Sequence, residues 1–210
     1  MTEHTTRLVP IKTTLRNGDA VLIREVVPED RDLMQLGFDR LSSESRYFRF
    51  LSPHNALTDA EVREFTATGD EEHLAIGAVM TSAAGVLPLG TARYVQLGPD
   101  DSRAEVAVTI IDSHQNIGLG SLLFGVLARL AATSGITEFI AIVHRNNTGM
   151  IHLLKGLGAK VSHREHAEIE LVLPIFEQAE HYPDTPMGAR VRAAYDLVNL
   201  DDHSLRLGSS

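Results

Sequence analysis

Ala104-Glu-Val-Ala-Val-Thr-Ile-Ile-Asp-Ser-His-Gln-Asn-Ile-Gly-Leu-Gly-Ser-Leu-Leu123 is the stretch whose reading decides the fold. Its β-branched run, Val106 to Ile111, predicts a strand, the polar Asp112 to Asn116 a turn, and the leucine-bearing segment opening at Gly118 a helix. Gly118 and Gly120 permit φ > 0 and let the backbone come close to a ligand. A helix that opens there leaves its first N–H groups without partners, and these amides together with the helix dipole suit a diphosphate or similar anion. These features alone leave two readings open, an anion cradle and a glycine-softened connector.

Two phosphate loops are excluded. No Gly-Lys-Ser/Thr follows, so there is no P-loop, and Leu123 stands where the dinucleotide spacing needs its third glycine. The next predicted strand, Ile136 to Val143, ends in His144 and Arg145 rather than in a ribose-binding acid.

Gln115-x-x-Gly118-x-Gly120, after a strand that starts with Glu105, resembles the acyl-CoA signature Q/R-x-x-G-x-G/A of the GNAT family of N-acetyltransferases. A second block, Val143-His-Arg-Asn-Asn147-Thr-Gly-Met150 through Leu157-Gly158, resembles that family's N-x-x-(A/M) helix with its leucine-glycine end. Upstream, Leu22-Ile-Arg, Pro28-Glu-Asp and Arg40-Leu-Ser-Ser-Glu-Ser-Arg-Tyr-Phe-Arg-Phe50 resemble the N-terminal half of bacterial Pat-type protein-lysine acetyltransferases. The likeness spans about residues 20 to 173.

In chain order, residues 1–17 read as polar and loose, with Asn17-Gly18 a turn signal. Ala20 to Glu25 reads as a strand, and Pro28-Glu29-Asp30 opens a helix whose apolar face, Leu33, Met34, Leu36 and Phe38, ends near Leu41. Ser42 or Ser43 caps a second helix carrying Tyr47, Phe48 and Phe50, and Asn55 to Thr66 is a third with Thr58 and Glu61 as a capping box. His73 to Met80 and Leu89 to Val95 are strands joined by the turn Ser82-Ala-Ala-Gly85. After the central strand and helix come the strand Ile136 to Val143, the helix Asn147 to Leu157, and strands Lys160 to His163 and Glu168 to Leu173. The expected fold is α/β, with a central mixed sheet of about seven strands flanked by helices. Residues 1–17 form a flexible start, 18–174 a single acetyltransferase-like domain and 175–210 an extension with one helix, carrying Met187, Val191, Tyr195 and Val198 on one face. That helix docks on the domain or on a second subunit of a homodimer, and the sequence leaves both open. Asp201 to Ser210 read as frayed.

Composition narrows the function classes. The 210 residues are 43% hydrophobic and 22% charged, as in an ordinary globular protein, and contain no cysteine, which excludes disulfides, thiol catalysis and thiolate metal sites. Neither a signal-type apolar core nor a membrane span is expected, and a cytoplasmic setting fits. A net charge of −9 argues against nucleic acid as partner and favours a cationic one. His163-Arg-Glu-His166 lacks the spacing of a metal site, so no metal is expected, and no G-x-S-x-G hydrolase motif occurs.

The resemblance implies acetyl-CoA as cosubstrate, an amine as acceptor, foremost a protein lysine, and direct attack on the thioester. Ala104-Glu-Val-Ala-Val108 matches the Pat-type context of a catalytic glutamate, so Glu105 is the implied general base. Apolar neighbours on its strand lead one to expect a desolvated carboxylate. The amide near Ile110 is the implied oxyanion donor. Thr109, Ile110 and Ile111 would face the pantetheine arm, with Gln115, Asn116, Ile117, Gly118, Leu119, Gly120 and Ser121 around the pyrophosphate and Asn147 and Met150 near the thiol end. Asn147 reads equally as a helix N-cap.

Two positions depart from the family pattern. Asn116 stands where many members have glycine, and Leu154 where many carry the tyrosine that protonates the leaving thiolate. The missing tyrosine keeps a non-catalytic acyl-CoA sensor open, and a small-amine acetyltransferase is the other alternative, since fold and cofactor site do not fix the acceptor; no fused regulatory module is expected.

Overall fold

The computed structural model describes residues 7–67, 72–83 and 85–201. The strands are β1 (Arg7–Leu8), β2 (Ile11–Thr14), β3 (Ala20–Glu25), β4 (His73–Ser82), β5 (Gly85–Gln96), β6 (Arg103–Ile110), β7 (Glu138–His144), β8 (Lys160–Glu165), β9 (Glu168–Pro174) and β10 (Leu200–Asp201). The helices are α1 (Arg31–Asp39), α2 (Ser43–Phe50), α3 (Asp59–Thr66), α4 (Leu119–Thr133), α5 (Thr148–Gly156) and α6 (Pro186–Tyr195). Eight strands form one mixed sheet in the order β2-β3-β4-β5-β6-β7-β9-β8, and β1 pairs with β10 apart from it. Every pairing in the large sheet is antiparallel except that of β6 with β7.

The expected single α/β domain is what forms, with one strand more in its sheet. Within the stretch expected to be loose, Arg7–Leu8 and Ile11–Thr14 are β1 and β2. The reason is local. Ile11 and Leu15 are buried on one face, and Asn17-Gly18 makes a hairpin onto β3, with Gly18 at φ 91° and the Leu15 amide donating to Asp19 O at 2.9 Å. Of the segments expected to be loose, 1–6 and 202–210 lie outside the described residues, as does Ala84 of the Ser82 to Gly85 turn.

Adjacent residues of β5 point to opposite faces and show what covers each. The Arg93 guanidinium lies 4.5 Å from the centre of the Phe65 ring on α3. Tyr94 turns the other way onto Phe139 of β7, which Phe124 of α4 meets edge-on, at 5.9 Å for each ring pair. Helix α4 is the core element: Leu119, Leu123, Phe124, Val126 and Leu127 are fully buried, each worth roughly 1.5–3 kcal/mol against exposure. On the α1 side, the buried Asp30 accepts a two-pronged bond from Arg24, 2.6 Å on each arm, and one from the Val27 amide at 2.9 Å. Burial opposes its charge, but these donors hold the carboxyl below the usual range.

The C-terminal helix seats on α4 of its own chain. Glycines let it pack closely: a Cβ on Gly156 of α5 would stand 2.7 Å from Met187 Cγ, and one on Gly188 of α6 itself would strike the Pro183 carbonyl of the segment leading into the helix. Thr185 caps α6 by accepting from the Gly188 amide at 3.0 Å and donates to Gly156 O at 2.6 Å.

Candidate active site

The sheet opens at its centre. Strand β6 pairs with β7 only through Arg103↔Glu138, Ala104↔Phe139 and Glu105↔Ile140, yet stays paired with β5 as far as Ile110↔Gly90. Beyond Glu105 the two parallel strands diverge and leave a cleft of about 880 Å³.

Antiparallel pairing sends backbone groups alternately to either side. The Ile111 amide donates to Leu89 O at 2.9 Å, so Thr109 and Ile111 face β5, whereas Val108 and Ile110, beyond the last pairing with β7, turn their N–H and C=O towards the cleft. The Ile110 carbonyl accepts from Gln115 Nε2 at 3.1 Å. Its N–H points into the opening. Of the stretch Thr109 to Ile111, Ile110 alone therefore offers the cleft a backbone donor, while the Thr109 side chain lines the wall.

The turn after β6 is held from two directions. Asp112 accepts from the Ser42 amide at 2.8 Å, from Ser42 Oγ at 2.7 Å and from Ser45 Oγ at 2.9 Å, which ties the turn to the start of α2. Burial again works against the charge, but the Ser42 and Ser45 bonds hold this carboxyl below its ordinary range. Gln115 also donates to Ser45 Oγ at 3.2 Å. Asn116 adopts the left-handed region at φ 61°, which asparagine tolerates, and Gly118 caps α4 at φ 95°. The amides of Leu119, Gly120 and Ser121 form the first helical turn, with no partner inside the helix. A Cβ on Gly120 would meet Ile110 Cγ1 at an ordinary 3.8 Å, so the protein itself tolerates a side chain there. Glycine at this position keeps the mouth of the cleft clear. Ile117 packs against the core, and the buried Ser121 donates to Met187 Sδ at 3.7 Å.

Glu105 stands at the fork, where β6 leaves β7, and lines the cleft. It is exposed. The expected desolvated carboxylate is corrected: side chains alternate along the strand, so the buried Ala104 and Val106 point away from the face that carries Glu105.

The same wall holds groups that the sequence reading passed over. Arg49 of α2 is pushed down to about 10, by burial first and by Arg93 second, with Glu105 and Glu64 acting the other way. Arg93 pairs with Glu64 at 3.4 Å over Phe65. Arg49 sits in the aromatic run of α2, and no local spacing marks it as reaching the cleft.

Across the cleft, Asn147 caps α5 by accepting from the Met150 amide at 3.1 Å, and both residues line the opening. Leu154 is fully buried and lines no part of it, whereas His152 and Leu153 do. Among the described residues no three His, Asp or Glu side chains gather as a metal site, and no helix is long and apolar enough to cross a membrane.

A splayed strand pair beside a glycine-opened helix start leaves unpaired backbone amides at two places along one cleft. The chain is similar to known proteins over most of its length. The model of the Acetyltransferase (GNAT) domain matches residues 20–160. Acetyltransferase Pat of Mycolicibacterium smegmatis is 33% identical over 152 residues, covering 72% of this chain and 45% of that protein. Acetyltransferase PA5475 of Pseudomonas aeruginosa is 28% identical over 145 residues, 69% of this chain and 77% of that protein. The chain thus spans less than half the length of the mycobacterial relative. The crystal structure of the GNAT domain of S. lividans PAT superposes with a TM-score of 0.72 at 26% identity, covering 79% of this chain and 96% of that one.

Proposed function

The chain belongs to the GNAT acetyltransferase family, and from that premise we propose that it passes an acetyl group from acetyl-CoA to an amine, foremost a protein lysine. The observation that carries this reading is the Ile110 amide, turned into the cleft within the same loop system that opens α4 at Gly118. The pantetheine arm lies along the free edge of β6 as an added strand would, and the thioester oxygen meets the Ile110 N–H as charge develops on it. The first-turn amides Leu119, Gly120 and Ser121 take the diphosphate.

Transfer forms a C–N bond and breaks the C–S bond, and a cationic amine sheds two protons, one to solvent to free its lone pair and one as the amide forms. Glu105, exposed at the fork, takes the second proton directly or through one water. The thiolate is a good enough leaving group to depart to solvent, so a tyrosine at position 154 is not required. A cationic acceptor meets Glu44 and Glu105 on this wall, Glu64 being held by Arg93 and Glu61 by Thr58, and the chain carries net charge −9.

A second reading, a small-amine acceptor, draws support from an apolar cavity of about 90 Å³ that shares Arg49, Phe50, Phe65, Arg93 and Thr109 with the cleft. Incubation with acetyl-CoA and a panel of lysine-bearing proteins and small amines separates the two. Acetyl-lysine formation is expected. Turnover confined to small amines favours the second reading, and CoA binding without any turnover overturns both in favour of a sensor.

A further inference from the structure

We propose that Arg16 and Arg190, both outside the family-matched residues, close on the first turn of α4 as a cationic clamp for the diphosphate of CoA, an inference that rests on the acyl-CoA reading above.

Arg16 comes from the β2–β3 turn. That turn is tethered to the glycine loop: Asp19 accepts from Asn17 Nδ2 at 2.6 Å and faces His114 Nε2 at 3.3 Å, and His114 Nδ1 meets Ser113 Oγ at 2.8 Å. The tether brings Arg16 Nε to within 3.7 Å, and its Cδ to within 3.9 Å, of where a Cβ on Gly118 would stand. One guanidinium therefore hangs over the residue that opens α4.

The other comes from the far end of the chain. Arg190 lies on α6 and lines the cleft with Gly118, Gly120 and Ser121. Its Nη1 donates to the soft Met187 Sδ at 3.6 Å, while its Nε is shut off from solvent with no hydrogen-bond partner. Burial, and then repulsion from Arg16, push Arg190 below the ordinary arginine value, so the two cations feel one another. No carboxylate among the described residues pairs with either.

Two like charges held beside the positive end of a helix are costly unless an anion joins them. A diphosphate matches the arrangement, because each guanidinium fork can take phosphate oxygens while the amides of Leu119 to Ser121 take others. The terminal segments thus complete the cosubstrate site: the N-terminal hairpin supplies one cation and the C-terminal helix the other.

The test is calorimetric titration of CoA, and in parallel 3′-dephospho-CoA, into the full chain and into Arg16→Gln, Arg190→Gln, the double variant and Arg190→Lys. Thermal unfolding confirms that each is folded. Each glutamine variant is expected to weaken both ligands about tenfold and the double variant about a hundredfold, with much of the affinity returning in Arg190→Lys. Wild-type affinity in the double variant overturns the clamp. A loss seen with CoA but not with 3′-dephospho-CoA moves the arginines to the 3′-phosphate and overturns the diphosphate assignment. Failure of the wild-type chain to bind CoA at all sinks the acyl-CoA reading itself, a result distinct from either.

Discussion

Gly125 on α4 and Ala194 on α6 meet so closely that a Cβ built on Gly125 would stand 2.6 Å from the Ala194 Cβ and 3.2 Å from Val191 Cα and O. The second and third of these atoms are backbone, so α6 would have to move as a body. Gly125→Ala is expected to cost roughly 1–3 kcal/mol by overpacking. Because α6 carries Arg190, the same change should also weaken CoA binding. Urea unfolding and CoA titration check both, and a variant with wild-type midpoint and affinity would show that α6 does not pack here.

Two buried phenols lock the segment leading into that helix. Tyr195 Oη donates to Phe176 O at 2.9 Å and lies 3.0 Å from Tyr182 Oη, so Tyr182 donates to Tyr195. Tyr195→Phe strands two groups, the Tyr182 hydroxyl and the Phe176 carbonyl, and should cost about 1–3 kcal/mol. Tyr182→Phe leaves Tyr195 paired with the Phe176 carbonyl and should cost less, at about 0.5–1.5 kcal/mol. Denaturant unfolding of the two variants tests the order; equal costs, or the reverse order, would break the donor chain from Tyr182 through Tyr195 to Phe176.

The parts of this molecule legible in the sequence are those whose cause is local. Gly118 at φ 95° and Asn116 at φ 61° are the only way through a tight strand-to-helix turn, and both residue types announce themselves. Asn147 and Thr58 announce caps for the same reason, and both accept from their helices as expected. Residues 11–14 are different: Ile-Lys-Thr-Thr is too short and polar to declare a strand, and becomes one because β3 offers an edge. Glu105 shows how far apolar neighbours can mislead, since Ala104 and Val106 are buried on the opposite face. Nothing near Arg16 or Arg190 in the chain says that residues 174 positions apart come to one end of α4, Arg16 over Gly118 and Arg190 on the wall of the same cleft, because the hairpin and the packing of α6 on α4 put them there.

Acid should loosen the turn before α4. The Asp112 carboxyl is held below its ordinary range in the folded chain and returns to about 3.9 on unfolding. A depressed folded value favours the ionised, folded form, so this contribution is fully present above about pH 4 and is lost as pH falls through the folded value. Asp112→Asn lacks the titration. The difference in unfolding temperature between wild type and Asp112→Asn should therefore shrink between pH 6 and pH 3. A difference that holds constant or widens towards acid would mean that the Ser42 and Ser45 bonds do not depend on the charge.

Glu105 gives the sharpest division between binding and chemistry. It lines the cleft at the fork of β6 and β7, whereas the diphosphate site proposed above lies at the turn of Gly118, at the other end of the same strand and loop. Glu105→Gln keeps the size of the side chain and its place on the strand while removing the proton acceptor. As general base, Glu105 should contribute about 10²–10⁴ to the rate, so kcat should fall by at least two orders of magnitude with the Kd for CoA unchanged. Steady-state acetylation and CoA titration on the same preparation read the two quantities separately. Unchanged kcat would remove Glu105 from the reaction and leave the proton to solvent, whereas a parallel loss of CoA affinity would place its role in holding the fork open rather than in proton transfer.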